Sequence, residues 1–464
     1  MENIENYDAI IIGTGQSGVP LAKLLANEGW KTAIIERYLV EGSCINYGCT
    51  PSKTMAASSN VIHLTKKAEL YGVHNSKVEV NLKEIISRKT SIVKSFREGL
   101  ENTVEQTDNL KFFRGEASFT DKKVVKIELE NGENKILSAD KIFINTGGSP
   151  SVPSIKGLES VKYLTSTTIM DLEEKPAHLL ILGGGYIGLE FGQMFRRFGS
   201  QVTIIEKGPQ LLSREDEDIA DEVEKILRND EVNVLKNTTV TEVIQNENQY
   251  DVRLKLLADG NDNFISGSHF LLAVGRVPNT SALNLKAAGI KADKKGYIKV
   301  NSKLETNVKG VYALGDVKGG PAFTHISYDD FRIIRDNLIS KKSRTTRNRM
   351  VPYTVFIDPQ LGRIGLTEKE AKEKGINYKI GELEMSHVSR AIEVGETRGK
   401  MKAVVDADTG KILGCAVLGI EGGEITAMIQ IAMMGNLKYK DLKEGIFTHP
   451  TLSESLNNLF AKIN

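Results

Sequence analysis

Two stretches of the chain share one rhythm of apolar and polar positions. In YDAIIIGTGQSGVPLAKLLANEGWKTAIIE (residues 7–36) an apolar run meets a glycine cluster, then apolar positions at helical spacing, then a second apolar run closed by Glu36. Short apolar runs bounded by turn residues read as buried strands, and the spaced segment between them reads as an amphipathic helix. HLLILGGGYIGLEFGQMFRRFGSQVTIIE (178–206) repeats the rhythm about 170 residues later and closes on Glu206. Further apolar runs end in tight turns at KIFINTGGSP (141–150), HFLLAVGRVPN (269–279) and GVYALGDV (310–317). Strands alternating with helices predict an α/β fold with parallel sheets.

The glycines add chemistry to this frame. Gly13, Gly15 and Gly18 stand as GxGxxG between strand and helix. The first permits the tight turn, the second lets a pyrophosphate approach the backbone, and the third lets helix and strand pack closely. The pyrophosphate then sits at the positive end of the helix, with Glu36 placed to accept from a ribose hydroxyl. Gly183, Gly185, Gly188 and Glu206 reproduce the set. One nucleotide does not need two such folds, so two are expected. A carboxylate at Glu206 accepts from a 2′-hydroxyl and repels a 2′-phosphate, which favours NADH over NADPH, although Lys207 follows directly.

Composition narrows the setting. The 464 residues suggest about three domains, and 40% hydrophobic with 26% charged residues is ordinary for a globular chain. A net charge of +1 gives no reason to expect nucleic acid as a partner. The basic run KKSRTTRNR (341–349) is read as a solvated connector. No apolar stretch approaches the ~18 residues of a membrane span, and the N-terminus has no signal-peptide pattern. A cytoplasmic location is expected.

Only three cysteines occur, two of them in GSCINYGCTPSK (42–53). A close pair in such a chain points to catalysis or metal. A structural zinc site wants four ligands, and no second cluster of cysteines or paired histidines exists, so no metal site is expected. Five helical residues rise about 7.5 Å, beyond the ~4.4–6.8 Å Cα separation of a disulfide. The segment must therefore bulge between Cys44 and Cys49, with Gly48 supplying the freedom. Thr50 as N-cap and Pro51 at the first helical position predict a helix just beyond. Its N-terminus favours a thiolate at Cys49. Cys415, in the apolar run KILGCAVLG, reads as a small buried hydrophobe. Near the C-terminus THPTLSE (448–454) holds His449 and Glu454, and Thr451-x-x-Glu454 reads as a capping box.

Taken together, Cys44-x4-Cys49 followed by Pro51-Ser52-Lys53, both glycine fingerprints and the strand-end motifs resemble the pyridine nucleotide–disulfide oxidoreductases over essentially the whole chain. The resemblance implies an FAD part at 1–150 and 275–348, an NAD(P) part at 151–274, and an α+β dimer-interface part at 349–464. It implies Cys44 and Cys49 as a redox-active pair, Cys49 facing the flavin and Cys44 attacking the substrate. Lys53 would lie beside the flavin with Glu190 as its partner. Gly42, Ser43, Thr146, Gly147, Gly315 and Asp316 would join Gly13, Gly15, Gly18 and Glu36 around FAD, and Gly275 would join the second fingerprint around NAD(P)H. His449 and Glu454 match the family's acid/base pair, which reaches the active site of the other subunit of a homodimer.

GPAFTHISYDDFRII (320–334) and SHVSRAIEVGETRGKMKAVVDADTGKILG (386–414) look more like the mercuric-reductase-like branch than like dihydrolipoamide dehydrogenases. That branch includes flavoproteins that protect bacteria from reactive chlorine species by reducing Cu(II) or hypothiocyanous acid. Mercuric reduction itself is not expected, because no cysteine follows Cys415. Glu41-Gly42-Ser43 replaces the commoner Gly-Gly-Thr. The expected function is NAD(P)H-driven, FAD- and disulfide-dependent reduction of a small oxidant, disulfide or soft metal. The alternatives are a dihydrolipoamide dehydrogenase serving a lipoyl domain and a non-catalytic nucleotide-binding sensor.

Overall fold

The computed structural model describes residues 4–75, 77–245 and 251–463. In chain order its first helices are α1 (Gly18–Asn27), α2 (Gly42–Tyr47), α3 (Cys49–Lys66) and α4 (Leu82–Glu105). They are followed by α5 (Tyr186–Phe198), α6 (Glu217–Asn229) and α7 (Thr324–Leu338). The chain divides into two compact units. One comprises Met1–Thr54, Ser87–Ser151 and Arg276–Arg349, and the other Met55–Ile86, Val152–Gly275 and Met350–Asn464.

In the first unit the strands Leu110–Asp121, Thr32–Glu36, Ile4–Ile12, Asn134–Ile144 and Val311–Ala313 lie side by side in that order, all parallel. Val124–Leu129 pairs antiparallel with the far ends of Leu110–Asp121 and Asn134–Ile144. Strands such as Ile10–Ile12 and Ile142–Ile144 are apolar at successive positions because both faces of a parallel sheet are covered. Helix α1 covers one face with Val19, Leu21, Ala22 and Leu25. A parallel sheet with helices across it gathers its strand ends, and hence its loops, on one edge.

The second unit repeats the plan. Asn233–Leu235, Gln201–Ile205, His178–Leu182, His269–Leu272 and Leu164–Thr165 form a parallel sheet in that order. Helix α5 packs on it and stops at Gly199, whose left-handed backbone (φ 105) lets the Gly199 and Ser200 amides cap the Arg196 and Phe195 carbonyls. The C-terminal part is a five-stranded antiparallel sheet, ordered Tyr353–Val355, Gln360–Gly365, Ile412–Gly419, Lys400–Asp406 and Tyr378–Glu384. The helix Gly422–Met434 lies against it through Ile425 and Ile429. The fold is thus mixed α/β, with two Rossmann-like halves and a C-terminal α+β part, as the sequence predicts. Among the described residues, no helix is long and apolar enough to cross a membrane.

Charged side chains join the nucleotide half of the second unit to its C-terminal sheet. Buried Arg197 on α5 meets Asp230 at 3.0 Å and Asp358 at 2.6 Å. Lys402 lies 3.0 Å from Asp218 and 2.6 Å from Glu368. Removing one member of such a buried pair strands the other charge.

The two fingerprints are held by missing side chains. A Cβ on Gly188 would stand 2.1 Å from the Gly183 carbonyl oxygen, whereas one on Gly185 would meet nothing within 4 Å. Gly188→Ala is therefore expected to lower unfolding free energy by about 3 kcal/mol, the upper range for overpacking against atoms that cannot yield. Gly185→Ala should change it by less than about 1 kcal/mol. Coincident urea midpoints for the two variants would contradict this.

Candidate active site

The strand ends of the first unit build one cradle. A Cβ on Gly13 would stand 2.4 Å from the Asn145 carbonyl oxygen, and one on Gly18 would stand 2.1 Å from that of Gly13. This leaves the head of α1 pressed onto the sheet. Asn145, buried, holds the arrangement: its Oδ1 accepts from the Gly18 amide (3.0 Å) and its Nδ2 donates to the Leu314 carbonyl (3.0 Å). Gly15 faces Gly42, where an added Cβ would be 3.2 Å from the Gly15 Cα. Ser43 follows on the first turn of α2. Glu36 turns back, its Oε2 accepting from the Thr14 amide (3.0 Å) and hydroxyl (2.7 Å).

Thr146 and Gly147 extend the cradle. Asn279 clasps this turn, its Nδ2 donating to the Thr146 carbonyl and its backbone oxygen accepting the Thr146 hydroxyl, both at 2.8 Å. Gly147 has a left-handed backbone (φ 65), and a Cβ there would meet nothing within 4 Å, which leaves an open side toward the loop edge. Gly315 turns the third strand end at φ 70. Its amide donates to Asp330 Oδ2 (2.9 Å), which also meets Lys318 Nζ at 3.1 Å, while Oδ1 meets Arg349 at 2.7 Å. Next to it, burial raises the Asp316 carboxyl above the ordinary aspartate range, against the pull of Arg276 and Lys318.

Glu41 occupies a backbone position (φ 77) where glycine is the easy choice. Its side chain is buried, its Oε2 accepts from Gln16 Nε2 at 3.0 Å, and burial raises its carboxyl to about 7. The glycine-rich Gly13–Gly18 turn, the open Gly147 turn and an aspartate at the third strand end suit a dinucleotide with a sugar-like chain. The residues present fit FAD.

The thiols lie beside this cradle. α2 ends at Tyr47, Gly48 breaks the helix (φ −135, ψ −115), and α3 begins at Cys49. The bulge expected between the cysteines is there, for a steric reason more than a flexible one. A Cβ on Gly48 would stand 2.8 Å from the Ser43 carbonyl oxygen and 3.3 Å from the Cys44 Cα. The helix starts earlier than Thr50 and Pro51 predict, with Cys49 as its first residue and Pro51 inside the first turn, where no amide is needed. Both cysteines are free thiols, Cys44 half-buried and Cys49 exposed. The Cys44 thiol is pushed well up, first by its hydrogen bond to Cys49 and then by burial. Lys53 follows Cys49 by one helical turn, on the same face of α3.

In the second unit Gly183 crosses the Ala273 carbonyl as Gly13 crosses that of Asn145, its Cβ position 2.6 Å from the oxygen. Gly275 turns at φ 113 with open space around it. Glu206 accepts from the Gly184 and Gly208 amides, each at 2.6 Å. Glu190, buried on α5, accepts from the Phe356 amide at 2.8 Å. Lys53 and Glu190 belong to different units. The open Gly185 and Gly275 turns and the carboxylate at the second strand end fit a nicotinamide dinucleotide.

His449 Nδ1 lies 2.8 and 3.0 Å from the two oxygens of Glu454. An ionised carboxylate only accepts, so Nδ1 carries the hydrogen and Nε2 faces away. The imidazole is mostly exposed. The capping box does not form: the helix starts only at Ser455 with Glu454 at its N-cap, and although the Glu454 amide donates to Thr451 Oγ1 (3.3 Å), the Glu454 side chain is spent on His449. The basic run 341–349 is not merely solvated. Arg344 reaches Asp329 (2.6 Å) and Asp336 (3.2 Å), and Arg349 reaches Asp330. Cys415 is fully buried, its thiol pushed up to about 12 by burial.

Three site residues escaped the sequence reading: Asn145, Asp330 and Thr324, whose hydroxyl lies 3.1 Å from Cys44 Sγ and 3.2 Å from Cys49 Sγ. The local signals were an asparagine ending an apolar strand, one acid of an Asp-Asp pair and a threonine at a helix start.

The family model described as pyridine nucleotide-disulphide oxidoreductase matches residues 7–330, and its dimerisation domain matches residues 351–460. The probable pyridine nucleotide-disulfide oxidoreductase RclA of Escherichia coli is 38% identical, over 99% of this chain and 100% of its own. A mercuric reductase of Lysinibacillus sphaericus is 37% identical over 98% of this chain and 82% of its own. A dihydrolipoyl dehydrogenase of Thermus scotoductus is 34% identical over 98% and 96%. Among solved structures, the Cu(II) complex of the HOCl-induced flavoprotein disulfide reductase RclA from Escherichia coli superposes with a TM-score of 0.90 at 36% identity, covering 99% of each chain. With cradle, thiol pair and dimerisation domain in place, the chain belongs to the pyridine nucleotide–disulphide oxidoreductases, FAD- and NAD(P)H-dependent flavoenzymes with a redox-active disulfide.

Proposed function

We propose that this enzyme uses NADH to reduce a small oxidant, oxidised thiol or soft metal ion in oxidative-stress defence, with Cys44 and Cys49 as the dithiol that delivers the electrons. The observation that carries this reading is the thiol pair itself, folded together across the Gly48 break beside the cradle. The kinship with an HOCl-induced reductase supports the oxidant class. In this reading the parts are FAD at 1–150 and 275–348, NAD(P)H at 151–274, and the interface at 349–464.

When bound, FAD supplies the two-electron relay between nicotinamide and disulfide. Gly13, Gly15, Gly18, Glu36, Gly42, Ser43, Thr146, Gly147, Gly315 and Asp316 hold it. Gly183, Gly185, Gly188, Glu206 and Gly275 hold the nicotinamide dinucleotide, and Lys53 flanks the reacting centre. The Cys44 thiolate attacks one sulfur of an oxidised substrate and the other leaves as a thiol. Cys49 then attacks the Cys44 sulfur, and the substrate sulfur that Cys44 had taken leaves as the second thiol, closing the disulfide. The substrate has gained two electrons and two protons, and the dithiol has lost them.

The leaving groups need a proton. His449 of the partner subunit supplies it, with Glu454 fixing the tautomer. This assignment requires a homodimer with a shared active site. The helix Gly422–Met434 supports dimerisation, since Ile431 and Met434 on it are 68% and 64% exposed although apolar. Contiguous apolar surface of this kind marks an interaction face.

Three outcomes are expected. NADH consumption with hypothiocyanous acid should be fast and depend on Cys44, falling to background in Cys44→Ser, with negligible turnover of lipoamide. Fast lipoamide turnover would instead identify a dihydrolipoamide dehydrogenase. His449→Gln should lower kcat by about 10²–10⁴-fold, the usual worth of a general acid, while anaerobic bleaching of the flavin by NADH persists. Finally, kcat/KM should be higher with NADH than with NADPH, and the reverse order would overturn the role given to Glu206.

A further inference from the structure

We propose that Thr324 is a further catalytic residue of the thiol pair, its hydroxyl donating to whichever of Cys44 and Cys49 carries the negative charge. The inference rests on the dithiol reading above and adds a third group to it. Thr324 Oγ1 lies 3.1 Å from Cys44 Sγ and 3.2 Å from Cys49 Sγ, so one hydroxyl touches both reacting sulfurs. A hydroxyl has one hydrogen and two lone pairs. It can donate to a thiolate on one side while accepting S–H on the other, but it cannot donate to both.

That asymmetry suits the two stages of the reaction. The monoanionic pair holds one proton for two sulfurs. With that proton on Cys44, the hydroxyl hydrogen serves Cys49. Before attack on substrate, the proton passes from Cys44 to Cys49, giving Cys44–S⁻ and Cys49–SH, and the hydroxyl turns to Cys44. No proton is gained or lost. The hydrogen bond from Thr324 acts on Cys44 in the thiolate-favouring direction, against the larger effect of Cys49.

The hydroxyl is well placed to act this way because its backbone is fixed. Thr324 is the first residue of α7, after an extended Phe323, and α7 is pinned to the cradle through Asp330 and Gly315. The other ionisable groups nearest in sequence on the surrounding elements are Glu41 ahead of α2, Tyr47 on α2, Lys53 on α3 and His325 on α7. All four stay unchanged when the Thr324 hydroxyl is removed.

The test is made on the FAD-loaded enzyme reduced anaerobically. The rate of iodoacetamide alkylation of Cys44 and Cys49 is followed against pH by peptide mass spectrometry for wild type, Thr324→Val and Thr324→Ser. A charge-assisted hydrogen bond corresponds to about one pH unit or somewhat more. Thr324→Val should raise the midpoint of the pair's profile by about that amount, and Thr324→Ser should leave it within a few tenths. A Thr324→Val profile superimposed on wild type would overturn the proposal, as would a Thr324→Ser profile displaced as far as that of Thr324→Val. If Thr324→Val does not retain FAD, Thr324→Ala carries the same comparison. Cys44→Ser separates the two readings. Disulfide turnover surviving in it sinks the dithiol mechanism, whereas lost turnover with an unshifted Thr324→Val profile removes Thr324 alone.

Discussion

Two stretches of backbone can touch only where no side chain stands between them, and this site is built on such touches. Gly18 against Gly13, Gly13 against Asn145, and Gly188 against Gly183 all bring a carbonyl oxygen to within 2.4 Å of where a Cβ would be. Each contact draws the head of a helix onto the end of its strand. The same constraint recurs at Gly48, where α2 and α3 meet. A glycine that gave only flexibility would leave the sulfurs loosely placed. One that removes a clash lets the two helices close, and the cysteines close with them.

This architecture was largely legible because its signals are local. A strand, a glycine turn and a helix follow one another within about 30 residues, as the fingerprint requires, and both copies fold as read. The cysteine bulge follows from helix rise once the two cysteines are required to bond. His449 and Glu454 were legible as a pair, but two local patterns competed for Glu454, and only its side-chain direction separates them.

What the sequence hid are contacts made across the fold. Asn145 reaches Gly18 across 127 positions and Leu314 across 169, and Thr324 reaches Cys49 and Cys44 across 275 and 280. No pattern window spans such separations. The charged residues show the same limit. The run at 341–349 displays its own charges but not the acids of α7 that meet them. Glu41 is a further case: its identity is plain in the sequence, whereas its burial, and so its raised pKa, follows from packing.

Helix α7 joins these observations. Its first residue stands between the two sulfurs, its middle carries Asp330 into the cradle, and its later turns hold Asp336 against Arg344. At 1.5 Å per residue, its 15 residues make a rod about 22 Å long. A rod gripped along its length does not let its tip wander. The placement of one hydroxyl is thereby answerable to arginines at the opposite end, and an alteration there would be felt as a change of aim.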